Sequence, residues 1–398
     1  MDIKVLVISH MYPSLSRPIA GIFVHEQVQA LVEQGCEVMV VSAVPVAPFP
    51  LNRLRKKWRD YSLIPSRDVL DGVEIHYPRY LSFPANIFFE HAGLLMHRGI
   101  RPLIEKIHSR FPFDIIHAHV AVPDGDAALK LKEEYKRPLV VTVHGADFAY
   151  TLHRNKKCNG VVKNVLAGAD RVITVSERLK KVARENMAHH EKVRTIHNGV
   201  TVSKLTGASG KKKTSGEGGT ILSVSNLIKL KGIDYNLHAV AALIEKYAHL
   251  RYIVVGDGVE RNNLERLAAS LKIEEHVCFK GELPHDQVME LMNECDIFAL
   301  PSWNEAFGVV YIEAMAAGKP AVACRGAGIE DIIEDRATGM LVEPRNLADL
   351  TAALDHLLAS PREAQAMGAR ARELVLEKLT WEENARKNIE VYKEVLPG

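Results

Sequence analysis

Pro301-Ser302-Trp303-Asn304-Glu305-Ala306-Phe307-Gly308-Val309-Val310-Tyr311-Ile312-Glu313-Ala314-Met315-Ala316-Ala317-Gly318-Lys319-Pro320 joins two short apolar runs, Ile297 to Pro301 and Pro320 to Cys324. The runs read as strands and the text between them as a turn that opens a helix near Phe307, a βαβ unit of a parallel sheet. A helix N-terminus presents free N–H groups and the positive end of its dipole, which suits phosphate or sugar oxygens. Gly308 lets a ligand approach the backbone closely. Glu305 falls just before the helix and Glu313 about two turns into it. Two carboxylates at two depths could grip two polyols, because each accepts hydrogen bonds from paired hydroxyls. The plainer alternative makes Glu305 a dipole partner and Glu313 a solvated residue. The Ala-rich, apolar surroundings of Glu313 favour a ligand.

The same rhythm runs outward in both directions. Towards the C-terminus a strand is expected at Gly339 to Val342. Helices start at Ser360-Pro361-Arg362-Glu363 and Thr380-Trp381-Glu382-Glu383, both with capping-box spacing. Upstream, strands are expected at Thr220 to Ser225, Tyr252 to Val255 and Val277 to Lys280. Residues 203–219, SKLTGASGKKKTSGEGG, are Gly, Ser and Lys with almost nothing for a core, and read as an inter-domain linker. Before them the rhythm repeats. Ile3 to Ile8 is followed by a helix with Val24, Val28 and Leu31 on one face, ended by Gly35, and then by Val38 to Val44. Further strands are expected at Asp114 to His117, Pro138 to His144, Arg171 to Ser176 and Val193 to His197. Near-continuous Val/Ile/Leu runs imply sheets covered on both faces. The fold class is therefore α/β: two Rossmann-like doubly wound domains, residues 1–202 and 220–379, facing a cleft. Ligands bind outside the carboxyl ends of such strands.

Bulk properties agree. The 398 residues suit two to three domains. Lys plus Arg is 51 and Asp plus Glu 49, a net charge of +2, which argues against nucleic acid as the main partner. No apolar window is long enough for a membrane span, and the N-terminus does not read as a secretory signal. Five cysteines without CxxC spacing fit free thiols in a reducing cytoplasm.

Weaker constellations surround the first. Ser225-Asn226-Leu227-Ile228-Lys229-Leu230-Lys231-Gly232 lies between a strand and a helix. Lys231 could place a point charge on a diphosphate, although loop lysines are common. Gly256-Asp257-Gly258-Val259-Glu260 reads as a strand-end turn into a helix capped through Asp257 and Glu260; it is not the GxGxxG of a dehydrogenase. Val143-His144-Gly145-Ala146-Asp147 puts His144 at a strand's carboxyl end, structural or functional with equal ease. His117 and His119 share one side of their strand by alternation, but no third ligand supports a metal. Gly21, before the first helix, either admits a ligand or turns the chain. Leu51-Asn52-Arg53-Leu54-Arg55-Lys56-Lys57-Trp58-Arg59 has five basic residues in nine, with Leu51, Leu54 and Trp58 at helical spacing. That pattern suits an anionic membrane surface, or a solvated helix with one packed edge.

Together these pieces resemble the retaining glycosyltransferases of family 4, which have the GT-B fold. The resemblance covers essentially the whole chain. It is most specific from Glu305 to Glu313 in EAFGVVYIEAMAAGKP, which looks like the family's E-x7-E segment. Supporting matches are Asn198-Gly199, Lys231-Gly232, Gly256-Asp257-Gly258, and Gly326 and Gly328 ahead of Glu330. The N-terminal HMYP…AGIFVHEQVQAL text is most similar to the teichuronic-acid and exopolysaccharide branch.

The resemblance implies a sugar transferred from a nucleoside-diphosphate sugar, UDP-sugar favoured, to a glycan or lipid-linked acceptor in cell-wall or exopolysaccharide synthesis. Glu313 would hold the ribose hydroxyls and Glu305 would sit beside the donor sugar. Backbone amides near Phe307, Gly308 and Val309 would bind donor oxygens. Lys231 would neutralise the diphosphate, Gly21 would leave room for the donor, and His144 would contact the donor sugar at the reacting centre. Attack would be front-face, with a donor phosphate oxygen taking the acceptor proton. No cofactor and no metal are implied, since no DxD stands at a strand end. Asn226 stands where the family usually has Arg, which removes one cation of the diphosphate clamp; Lys229 is a candidate replacement. The last helix, 380–398, would cross back onto the first domain. A cytoplasmic protein is expected, peripheral at the inner face of the membrane through Arg53, Arg55, Lys56, Lys57 and Trp58. Two other readings fit the fold: a sugar-nucleotide 2-epimerase, which needs donor alone, and a non-catalytic sugar-nucleotide-binding partner of another transferase.

Overall fold

A computed structural model describes residues 2–14, 16–48, 56–187, 189–201 and 219–397, apart from the side chains of Lys56 and Lys57. It divides into two compact units. The first comprises Met1–His197 with Trp381–Gly398, the second Asn198–Thr380. Nearly all of the 203–219 segment, and Leu51 to Arg55, lie outside the described residues.

The first unit is built on an eight-stranded sheet of order β10-β9-β8-β7-β1-β2-β5-β4. Its strands are β1 (Lys4–Ile8), β2 (Glu37–Val41), β4 (Arg67–Leu70), β5 (Val73–His76), β7 (Ile115–His119), β8 (Leu139–Val143), β9 (Arg171–Thr174) and β10 (Val193–Thr195). All pairs are parallel except β4 with β5. Val5, Leu6, Val7 and Ile8 are fully buried, as a central strand covered on both faces requires. Strand order reverses between β1 and β7, the place where doubly wound sheets bind ligands.

The expected strand over Val38 to Val44 breaks in two. Ser42 donates its N–H to His76 O and Val44 donates to Pro78 O. The chain thereby leaves the main sheet, and β3 (Val44–Val46) pairs instead with β6 (Arg79–Leu81). The β4–β5 hairpin was not anticipated. It turns on Asp71 and Gly72, at φ +48° and +81°.

Helix Trp381–Val395 completes this unit. Trp381, Ala385, Val391 and Tyr392 belong to the same core as β1 and the helix Ile22–Glu33. Polar contacts fix its register: the Gln27 amide donates to Asn384 Oδ1 at 2.7 Å, and Trp381 Nε1 donates to Glu26 at 2.9 Å.

The second unit is a six-stranded, wholly parallel sheet of order β13-β12-β11-β14-β15-β16. Its strands are β11 (Thr220–Val224), β12 (Arg251–Val255), β13 (Val277–Gly281), β14 (Ile297–Ala299), β15 (Ala321–Cys324) and β16 (Gly339–Val342). The order reverses between β11 and β14. A buried Asn236 pins that point, donating to Ser223 Oγ, Tyr252 Oη and Ala299 O. The helix after β14 spans Val309–Ala316, so it starts two residues later than Phe307 and places Glu313 one turn inside. Gly308 at φ +94° delays it, because a left-handed residue cannot propagate a right-handed helix.

Two expected caps do not form. Asp257 accepts from the Gly258 N–H at 2.7 Å rather than capping, and the helix Arg261–Ser270 has Glu260 at its N-cap, whose side chain accepts from the Asn263 amide and caps no backbone N–H. The Glu260 N–H goes to Leu227 O instead. Ser360 makes no cap bond either, although Pro361 does open its helix.

Candidate active site

In the second unit, four loops at the carboxyl edge of the sheet lock together around the switch point. The loop after β11 carries Asn226, Lys229 and Lys231. It meets the loop after β14 through Ser302 Oγ, which donates to Leu230 O at 3.2 Å. Gly232, at φ +69°, makes this approach possible: a Cβ there would lie 2.5 Å from Pro301 O. The loop after β12 packs on the other side. A Cβ on Gly258 would fall 2.4 Å from Leu227 O and 2.8 Å from Asn226 Oδ1. The loop after β15 closes the ring, where the Gly328 N–H donates to Glu305 O at 3.0 Å.

These loops bring Lys231 and Glu305 together, with Lys231 Nζ donating to Glu305 Oε2 at 2.6 Å. Both side chains are more than four-fifths buried. A partly dry ion pair is stronger than a surface one, and each partner fixes the other's rotamer. Gly308 and Val309 follow at the mouth of the Val309–Ala316 helix, where the first amides have no intrahelical acceptor. Phe307 is buried and anchors this turn. Glu313 stands at the side of the helix and accepts from His285 Nε2 at 3.0 Å. Asn226 and Lys229 are exposed in the β11 loop.

Sequence reasoning missed His285, whose partner lies 28 residues on. It also missed Trp303, which Tyr235 meets edge-on at 5.9 Å and the Arg345 guanidinium overlies at 4.9 Å. Among the described residues no group of three or more His, Cys, Asp or Glu could hold a metal ion.

The first unit gathers polar groups at the carboxyl ends of β1, β7 and β8. His144 and His119 share a hydrogen bond at 3.0 Å between Nε2 and Nδ1, with their rings stacked 11° from parallel. Phe23 packs against His144 at 4.8 Å. Burial pushes His144 down to about 3, so it is a neutral imidazole near pH 7. His117 and His119 do share one side of their strand, but His117 is a structural hub. Its ring nitrogens meet Tyr392 Oη and Thr142 Oγ1, each at 2.7 Å. Asp147 is buried and accepts from the Ala121 N–H at 3.0 Å. Burial raises it to about 6, against the pull of the Ala121 and Val122 amides. Gly21 has a packing role of its own: at φ +70°, a Cβ would lie 2.3 Å from Met11 O. Of the basic segment, Lys56 and Lys57 fall in the helix Lys56–Ser62, and Trp58 meets Tyr61 edge-on. Arg53 and Arg55 lie outside the described residues.

Residues 20–204 match the family model described as Glycosyltransferase Family 4, and residues 208–374 the one described as Glycosyl transferases group 1. The chain belongs to the family 4 glycosyltransferases of GT-B fold. This glycosyltransferase is 27% identical to the teichuronic acid biosynthesis protein TuaC of Bacillus subtilis, over 88% of each chain. Its fold is similar to sucrose-phosphate synthase from Thermosynechococcus elongatus, with TM-score 0.79, 20% identity and 98% of each chain covered. It is also similar to Anabaena HepE in complex with UDP, with TM-score 0.74 and 18% identity, covering 99% of this chain and 100% of that one. Among the described residues no helix is long and apolar enough to cross a membrane.

Proposed function

We propose that this glycosyltransferase moves a sugar, with retention of anomeric configuration, from a nucleoside-diphosphate sugar to a glycan or lipid-linked acceptor in cell-wall or exopolysaccharide synthesis. The observation that carries the donor class is the Lys231–Glu305 pair beside the open amides of Gly308 and Val309. One cation and a helix N-terminus suit a diphosphate leaving group, whose charge grows as the bond from sugar to phosphate breaks. The UDP bound by HepE favours uridine as the base, and the TuaC likeness favours a cell-wall polymer as the product.

In this reading Lys231 neutralises the diphosphate and Glu305 holds Lys231 in place beside the donor sugar. Glu313 accepts from the ribose hydroxyls, with His285 steadying its carboxylate. His144 offers the donor sugar a neutral ring. With Asn226 in place of arginine, the diphosphate clamp rests on one fixed cation.

The first test is a thermal-shift screen of UDP, GDP and ADP and their sugar conjugates. Ligand at 100 times its dissociation constant stabilises by about 2.7 kcal/mol. A shift with one nucleoside diphosphate and its sugar is expected; no shift with any of them would overturn the donor assignment. NMR of the product's anomeric centre then reads retention or inversion. Glu313→Ala is expected to weaken donor binding by roughly 10–100-fold, on the scale of one lost charge-assisted hydrogen bond. Undiminished UDP affinity would remove Glu313 from the site. EDTA is expected to leave turnover unchanged; a loss that magnesium restores would show that a metal shares the diphosphate. Contact with anionic membrane through Arg53, Arg55, Lys56, Lys57 and Trp58 is part of the proposal. It predicts sedimentation with phosphatidylglycerol vesicles and not with phosphatidylcholine ones.

A further inference from the structure

In the first unit, the chain between β6 and the helix Ala92–Arg110 holds a rare backbone shape without packing a core. Ala85, Asn86 and Phe88 stand at φ +55°, +56° and +57°. Asparagine accepts that left-handed conformation; alanine and phenylalanine seldom do. No residue of Pro84–Asn86 or Phe89–His91 is buried, so packing does not repay the strain. What the shape achieves is the display of Ile87 and Phe88, adjacent in sequence and each 56% exposed. Phe83 meets Phe88 edge-on, with 5.6 Å between ring centres, and props the outer ring up. Strain of this kind persists where the displayed groups have a use.

The surroundings are basic. The Arg154 guanidinium donates to Ala85 O at 3.3 Å and to Asn86 O at 3.1 Å, and lies 5.5 Å from the centre of the Phe89 ring. It therefore stands at the foot of the loop. His153, Arg154, Lys156 and Lys157 are exposed, and the run from Leu152 to Lys157 holds no carboxylate. Glu90 lies 3.6 Å from Lys157 and offsets that one charge. Tyr150, also exposed, precedes Arg154 by four residues on a right-handed helical stretch and so shares its face. In the other direction β6 leads to β3, where Leu81 and Val46 are register partners and both exposed. The helix Lys56–Ser62 packs against β3.

Two adjacent apolar tips, a tyrosine, and cations with no carboxylate among them fit an anionic lipid surface. Apolar side chains gain by entering the acyl boundary, tyrosine suits the headgroup level, and the cations meet lipid phosphate. We propose that Pro84–Phe88 is a wedge that enters an anionic bilayer, with Ile87 and Phe88 below the headgroups and Arg154 and Lys156 at the phosphates. This rests on the membrane contact proposed above and gives it an apolar anchor separate from the basic 53–58 segment. It does not depend on the donor chemistry.

The experiment uses the full chain with vesicles of phosphatidylglycerol, of phosphatidylcholine, and of phosphatidylglycerol brominated along its acyl chains. Phe88→Trp adds an indole at the tip, and the wild-type emission of Trp58, Trp303 and Trp381 is the background. The added emission is expected to shift to the blue on phosphatidylglycerol and to be quenched by the brominated lipid. Ile87→Ser/Phe88→Ser is expected to lower partition into phosphatidylglycerol vesicles by roughly 10–100-fold, the scale of withdrawing large apolar side chains from an apolar medium. Its Tm should not change, because neither side chain belongs to a core. Lys156→Gln is expected to lower partition about fivefold at low salt. Lys56→Gln/Lys57→Gln should weaken binding too, yet leave the quenching of Phe88→Trp intact once the chain is bound. Vesicle binding with the added emission unquenched, or undiminished in the serine double variant, would overturn the wedge and leave the basic segment as the contact. Sedimentation with none of the vesicles would overturn the membrane contact and the wedge with it, and leave the transfer reading untouched. Self-association that the serine double variant abolishes, without lipid binding, would assign the patch to a second copy and overturn the wedge.

Discussion

Replacing Lys231 by alanine is expected to lower kcat by roughly 10²–10³-fold, the scale of removing one fixed donor from a site where charge develops. The expectation comes from what surrounds the ammonium. It lies in a three-residue 3₁₀ turn, Lys229–Lys231, closed by a left-handed Gly232, so the stem has little freedom. Its Nζ already donates to Glu305 at 2.6 Å, which sets its direction before any donor arrives. With asparagine at position 226, no second side-chain cation has been assigned to the diphosphate. Alanine also leaves Glu305 partly buried without its ammonium, which costs about 1–3 kcal/mol of stability. The double variant Lys231→Ala/Glu305→Gln separates the two losses: stability should recover while kcat stays low. A single variant with wild-type kcat would take Lys231 out of the reaction.

Gly328→Ala is expected to cost about 3 kcal/mol of stability, the upper end for overpacking. The new Cβ would lie 2.1 Å from Ala306 O and 2.6 Å from Ala306 C. These are backbone atoms and cannot swing away as a side chain would. The loop from Trp303 to Gly308 must move, and with it the Gly328 N–H bond to Glu305 O. For a unit of this size the change is a drop in Tm on the order of 6–12 °C. Donor binding should weaken in the same variant, because the displaced loop carries Glu305 and the amides of Gly308 and Val309. A variant with unchanged Tm and unchanged UDP affinity would show that the loop has room the structure does not give it. Gly326→Ala is the control: at φ +74° it is strained, but nothing lies within 4 Å of its Cβ.

The sheets were legible because their strands are nearly continuous runs of Val, Ile and Leu, which survive any error in boundary. Ala321–Cys324 and Gly339–Val342, for example, are buried at every position. The β4–β5 hairpin escaped because its strands are short and half polar. Asp71-Gly72 was the signal the sequence offered, a turn pair that accepts two positive φ values in succession. The capping box at Asp257 failed for the opposite reason. Its local spacing was right, but a tertiary acceptor, Leu227 O, took the Glu260 amide.

Site residues divide the same way. Glu305, Gly308 and Glu313 lie within nine residues of one another, so one segment announces them. His285 is paired with Glu313 only by the sheet.

The helix Trp381–Val395 sets an order of events during synthesis. The core of the first unit includes Trp381, Ala385, Val391 and Tyr392, and Tyr392 bonds His117 at the centre of its sheet. A ribosome that has made residues 1–197 has therefore made a domain that still lacks part of its own interior. The second unit, continuous from Asn198 to Thr380, emerges whole before that part exists. Chain order thus makes the second unit the earlier one to finish, and leaves the nascent first unit without the side chains that complete the core around Val24, Val28 and Leu31 until the helix Trp381–Val395 leaves the tunnel.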